Sequence, residues 1–142
     1  DPRLAAGFER LDRSLLVRVD AVRIQAEYLR GRLAARTGDR KALERAIRGL
    51  EKVGSPIAMV WARTLRACLA HLRGDRAGVQ AALAAVEDSA GPAGMMLAAA
   101  VARWRLAGQR GDADGLARAV EAMAALGVRA PDRVARMLIP LP

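Results

Sequence analysis

Apolar residues recur along this chain at three- and four-residue steps, the period of one face of an α-helix. A leading helix is predicted over 3–16, carrying Leu4, Phe8, Leu11 and Leu15. The next is predicted over 19–36, with Val22, Ala26, Leu29, Leu33 and Ala34 on its packed face. Helix 40–53 carries Leu43, Ile47 and Leu50, the stripe of an amphipathic helix. Helix 56–73 is the most apolar, with Met59, Val60, Trp61, Leu65, Cys68, Leu69 and Leu72. Helices 76–89, 93–109 and 113–126 follow, and a short one over 130–139 places Val134, Met137 and Leu138 on one side. Ser55 and Pro56 read as the cap and first residue of their helix. Pro140 and Pro142 cannot continue the last. No alternating strand pattern is present, so the fold class is all-α.

The pattern repeats. Gly38-Asp39 returns as Gly74-Asp75 and as Gly111-Asp112, at offsets of 36 and 37 residues. The same offsets align Ala26/Ala62/Ala99, Arg30/Arg66/Arg103, Leu33/Leu69/Leu106 and Ala34/Ala70/Ala107. Beyond the corner they align Leu43/Val79/Leu116, Ala46/Ala82/Ala119, Ile47/Leu83/Val120 and Leu50/Val86/Met123. A glycine that ends a helix tolerates a left-handed backbone, and an aspartate after it accepts from the free amides of the next first turn. The pair therefore marks a tight corner between two helices. Units of this length are used by solenoids whose bricks bury their apolar faces only by stacking. One domain over 1–142 is expected, with units at 19–53, 56–89 and 92–127. Helix 3–16 reads as the second helix of a preceding pair, and helix 130–139 as a cap on the far end.

The paired helices, the period and the corner resemble the tetratricopeptide repeat. Gly31 falls seven residues before Gly38, where that family keeps a small residue so that its helices can touch, and Ala67 fits the same slot. Trp104 departs from it. The resemblance implies a right-handed superhelix of about three antiparallel pairs. A second stretch, Met123-Ala124-Ala125-Leu126-Gly127-Val128-Arg129-Ala130-Pro131-Asp132-Arg133-Val134-Ala135-Arg136-Met137-Leu138, is similar to the C-terminal end of large bacterial serine/threonine protein kinases and related signalling ATPases. That likeness implies the repeat tail of such a protein. The chain opens at Asp1-Pro2 without an initiator methionine, so it is expected to be a piece of something longer, or processed. No kinase core is legible: there is no glycine-rich phosphate loop, and His71-Leu72-Arg73-Gly74-Asp75 is not a His-Arg-Asp catalytic loop.

Composition adjusts this picture only a little. The net charge of +9 invites nucleic acid or anionic lipid. However, lysine occurs only at Lys41 and Lys52, and the arginines are spread over every helix with acids between them. Without aromatic interleaving or a basic stripe, nucleic acid is not the expected partner. The apolar run from Ala93 to Ala102 is too short to span a bilayer. The single cysteine excludes an intramolecular disulfide, and with no signal peptide the expectation is a cytoplasmic protein.

Candidate chemistry is thin. Cys68 and His71 share a helix three residues apart, but no further cysteine or histidine completes a metal site. Glu87-Asp88 and Asp112/Asp114 fall at helix ends, where acids cap and solvate. No catalytic residue, metal or cofactor is expected. Arg30, Arg66 and Arg103 are the sharpest feature, because the register places each on or beside the packed face. They are candidate binding residues for carboxylates or phosphates. The alternative is structural, each guanidinium bonding helix-end carbonyls or an acid such as Asp39 or Asp75. Tyr28, Trp61 and Trp104 are read as core fillers before ligand anchors. The expected function is non-catalytic protein–protein interaction: a scaffold or regulatory tail docking a peptide, with arginines favouring acidic partners. A small-molecule sensor controlling a linked catalytic domain is the alternative. Weak self-association through exposed repeat ends is also expected.

Overall fold

The computed structural model describes residues 2–14 and 19–141. Among them there are eight helices and no strand: α1 (Pro2–Arg13), α2 (Asp20–Thr37), α3 (Arg40–Val53), α4 (Pro56–Leu72), α5 (Arg76–Ala90), α6 (Met96–Arg110), α7 (Ala113–Ala125) and α8 (Pro131–Leu138). From α2 onward each helix packs on the next as far as α7. α2 also packs on α4, while α8 lies against α6 and α7.

The three corners have one geometry. Gly38, Gly74 and Gly111 sit at φ 72°, 72° and 70°, a region an L side chain enters only under strain. The amides of Asp39, Asp75 and Asp112 donate to the carbonyls of Ala34, Ala70 and Ala107, each at 3.0 Å. Their carboxylates accept from the amides of Ala42, Gly78 and Gly115 at 2.9, 2.8 and 2.8 Å. Donor and acceptor keep the sequence register throughout. A further rung repeats as well. Arg40 and Arg76, just past two of these corners, donate to the carbonyls of Leu72 and Gln109, tying each corner to the end of the following unit's first helix. Ala113 holds the equivalent place in the third unit.

Between the helices, Leu43, Leu50, Leu65, Leu83 and Met123 are fully buried, each a gain of about 1.5–3 kcal/mol over exposure. Gly31 makes the closest approach. A Cβ there would lie 2.2 Å from Cδ1 of Leu65, so the small residue admits α4 of the next unit and not α3 of its own. Trp104 stands where Gly31 and Ala67 stand and is half-buried against the core.

Several boundaries and faces differ from expectation. α1 ends at Arg13, where the Ser14 hydroxyl donates to the Leu11 carbonyl at 2.7 Å. Residues 15 and 16, and with them Leu15, lie outside the described residues. α6 starts at Met96 and not at 93, because Gly94 takes φ 73° and the Met95 amide closes a turn onto the Ala90 carbonyl at 2.8 Å. Leu29 and Leu33 are exposed, at 46% and 39%, although both were expected on the packed face. Their counterparts Leu65 and Leu69 are buried. Leu65 lies against Gly31 of α2, whereas α1 reaches α2 through Asp12 and Phe8. Ala26 and Ala34 are buried as expected, together with Ile24, Tyr28 and Gly31, of which Tyr28 and Gly31 meet α4.

Candidate functional site

The register set Arg30, Arg66 and Arg103 on matching surfaces, and there each holds a carboxylate of the helix before it. Arg30 on α2 binds Asp12 of α1, and also Glu27 at 2.7 Å. Arg66 on α4 binds Glu51 of α3, its Nε donating at 2.9 Å. Arg103 on α6 binds Glu87 of α5 at 2.7 Å. The partners are these acids, not Asp39 or Asp75, whose carboxylates are committed to the helix caps. For Arg30, burial pulls the guanidinium down, but hydrogen bonds and charge from Asp12 and Glu27 outweigh it and hold the pKa above the ordinary value. Arg66 is 57% exposed, so its pair contributes little, on the order of 1 kcal/mol or less. The three arginines repeat as a ladder of unit-to-unit clasps and are not brought together in one site.

A different group is brought together. Residues 139–141 run on from α8 and place Ile139 and Leu141 in the core. The backbone of residues 138–141 is held from α2 and from α6. The Tyr28 hydroxyl on α2 donates to the carbonyl of Leu138. The Arg105 guanidinium on α6, only 9% exposed, donates to the carbonyls of Ile139 at 2.9 Å and Leu141 at 2.6 Å. Tyr28 is itself fixed by stacking on Trp61 of α4, with ring centroids 4.0 Å apart and planes 18° from parallel. Burial pushes the Tyr28 hydroxyl well above its usual range, which keeps it a donor. Burial also lowers the Arg105 pKa.

Arg105 was missed by the sequence reading, and one signal could have found it. Its register equivalents are Cys68 and Arg32. An arginine at the place of a core cysteine, inside an Ala/Val-rich helix, must find buried acceptors. Cys68 is 2% exposed and burial pushes its thiol up to about 12, with Arg105 opposing the shift. His71 is exposed, so the two share a helix without forming a reactive pair.

Beside this segment lies a cavity of ≈ 690 Å³. Its polar lining is Arg32, Arg36, His71 and Arg136, and its apolar lining includes Leu72, Met137 and Leu141. A second groove, of ≈ 610 Å³, runs between α1, α2 and α3 beneath Phe8 and Leu33 and is bordered by Arg30 with its paired Glu27. Among the described residues no helix is long and apolar enough to cross a membrane. Compared with protein-family models, with curated proteins and with solved structures, the chain matches none.

Proposed function

We propose that this chain is a non-catalytic protein–protein interaction module. Its three helix pairs would form a right-handed, tetratricopeptide-like superhelix, with α2, α4 and α6 lining the concave side. The single observation that carries this reading is the capture of the stretch at and after the end of α8. Tyr28 and Arg105 bind residues 138–141 through main-chain carbonyls, as a peptide-docking face would bind a partner. Selection then rests on apolar side chains and free carbonyls more than on acidic ones, since Arg30, Arg66 and Arg103 already hold carboxylates. Membership of a bacterial signalling protein, as the repeat tail of a kinase or ATPase, belongs to the same proposal and rests on residues 123–138.

The test is peptide selection by display on the whole chain and on Leu141→Asp. A charge at this buried position expels the chain's own segment without altering Tyr28 or Arg105. Extended apolar peptides should bind the variant at least tenfold more tightly than the parent, because the face is no longer occupied. A folded variant that captures no peptide refutes the reading. A second reading, a small-molecule sensor, is favoured by the cavity beside the C-terminal segment. A thermal-shift screen with a metabolite panel tests it, since a specific ligand raises the midpoint with concentration.

A further inference from the structure

We propose that the cavity beside the C-terminal segment binds a small amphipathic anion, an apolar body carrying one carboxylate or phosphate. The inference rests on the sensor reading and names its ligand class. Arg32 and Arg36 follow one another by a turn of α2, and His71 and Leu72 come from the last turn of α4. Arg136 and Met137 come from α8, and Pro140 and Leu141 from the stretch after it. Three separate parts of the chain thus bring three arginines and a histidine to one cavity, and no carboxylate lines it.

Arg32 distinguishes this cavity from the other grooves, because its Nε is buried. Arg30, Arg66 and Arg103 hold acids, and Arg40 and Arg76 hold carbonyls. Arg136 is paired with Asp132, an exposed contact one turn away on its own helix. Among the described residues neither Arg32 nor Arg36 has a hydrogen-bond acceptor. The Nε of Arg32 is buried without one, while its guanidinium lies 5.6 Å from the centre of the Tyr28 ring. A half-buried guanidinium oriented by an aromatic face and lacking an acceptor is suited to a bidentate oxyanion. Ala35, Leu72, Met137, Pro140 and Leu141 also line the cavity and offer the ligand's body an apolar surface. The volume is in the range of small-ligand sites. Leu141 and Met137 line the cavity, so a bound ligand would also clamp the C-terminal segment over Tyr28 and Arg105.

The experiment is calorimetric titration of the whole chain with four probes: octanoate, octyl phosphate, octanol and inorganic phosphate. The two amphipathic anions should bind at least tenfold more tightly than octanol or phosphate alone. Arg32→Gln/Arg36→Gln should cost at least tenfold in their affinity while the thermal melt of the free protein stays in place. Arg36→Gln, at an exposed position, repeats the test should the double variant lose its fold. If octanol binds as well as octanoate, the anion class is wrong and the sensor reading stands. Equal affinity of variant and parent for octanoate also overturns the inference. If no probe binds and the metabolite screen is silent, both fall.

Discussion

A close contact between α2 and α4 is Leu65 lying over Gly31, and a double-mutant cycle isolates it. Leu65→Ala empties a fully buried site and should cost about 2–5 kcal/mol. Gly31→Ala adds a Cβ at 2.2 Å from Leu65 Cδ1, 2.9 Å from Cδ2 and 3.1 Å from Cγ. Crowding of that kind costs about 1–3 kcal/mol, offset by roughly 1 kcal/mol from the better helix propensity of alanine. The single variant alone is therefore a weak test, because its two terms oppose. In the cycle the propensity term appears on both arms and cancels. The atoms that the new Cβ meets are removed in Leu65→Ala, and the Cβ partly fills the space they leave. The double variant should thus be more stable than the two single losses imply, by about 1–3 kcal/mol. Equilibrium urea unfolding at constant m-value gives all four stabilities. Additivity within about 0.5 kcal/mol would mean that α2 and α4 do not meet at Gly31, and the stacking of the first unit on the second would be wrong.

Other expectations rest on separate contacts. Asp39→Ala, Asp75→Ala and Asp112→Ala each remove one cap and should each cost about 1 kcal/mol, agreeing closely because the three corners share one geometry; a thermal melt of each reads this. Arg105→Met removes two charge-assisted bonds to the C-terminal segment, about 2 kcal/mol locally once the relief of burying a charge is counted. Amides of residues 135–141 should then exchange roughly 30-fold faster while those of α4 hold, whereas a uniform acceleration would contradict a local role. The Cys68 thiol should resist alkylation in the folded chain near pH 8 and react on addition of urea. Its folded pKa is raised to about 12 from 9.0, so the unfolded chain gives up the proton first. Stability contributed by the protonated thiol is whole below about pH 9 and is lost as pH climbs toward 12, and Cys68→Ala should flatten part of that fall. The raised hydroxyl of Tyr28 acts in the same direction and remains. Arg66→Gln breaks a solvent-exposed pair and should change stability by less than about 1 kcal/mol.

The helices, their corners and their order were legible because each rests on local chemistry. A Gly-Asp pair dictates its own turn from two residues, and the spacing of Leu43, Ile47 and Leu50 names the buried face of α3 from one helix alone. Which face of α2 is buried was only partly legible, since it depends on neighbours: Ala26 and Ala34 are buried as expected. Leu29 and Leu33 fit a helical stripe, yet Tyr28 and Gly31 turn inward because α4 is there to receive them. The arginine ladder was legible as a repeat. Its acids were not, because Glu51 and Glu87 lie 15 and 16 residues away on helices whose relative rotation no periodicity fixes. The segment after α8 was hardest to read. Pro140 signals an end to the helix, but nothing in Leu-Ile-Pro-Leu says that it meets Tyr28, 110 residues upstream of Leu138.

The chain contains one tyrosine and two tryptophans, so the ring protons of Tyr28 can be assigned without ambiguity. A nuclear Overhauser spectrum recorded on them tests both the order of the units and the path of the C-terminal segment. Strong cross-peaks to the Trp61 indole, whose ring centre lies 4.0 Å away, together with cross-peaks to Leu138 or Ile139, are the predicted result. Tyr28 rings that contact neither α4 nor the residues after α8 would contradict the stacked arrangement and the docking face built on it.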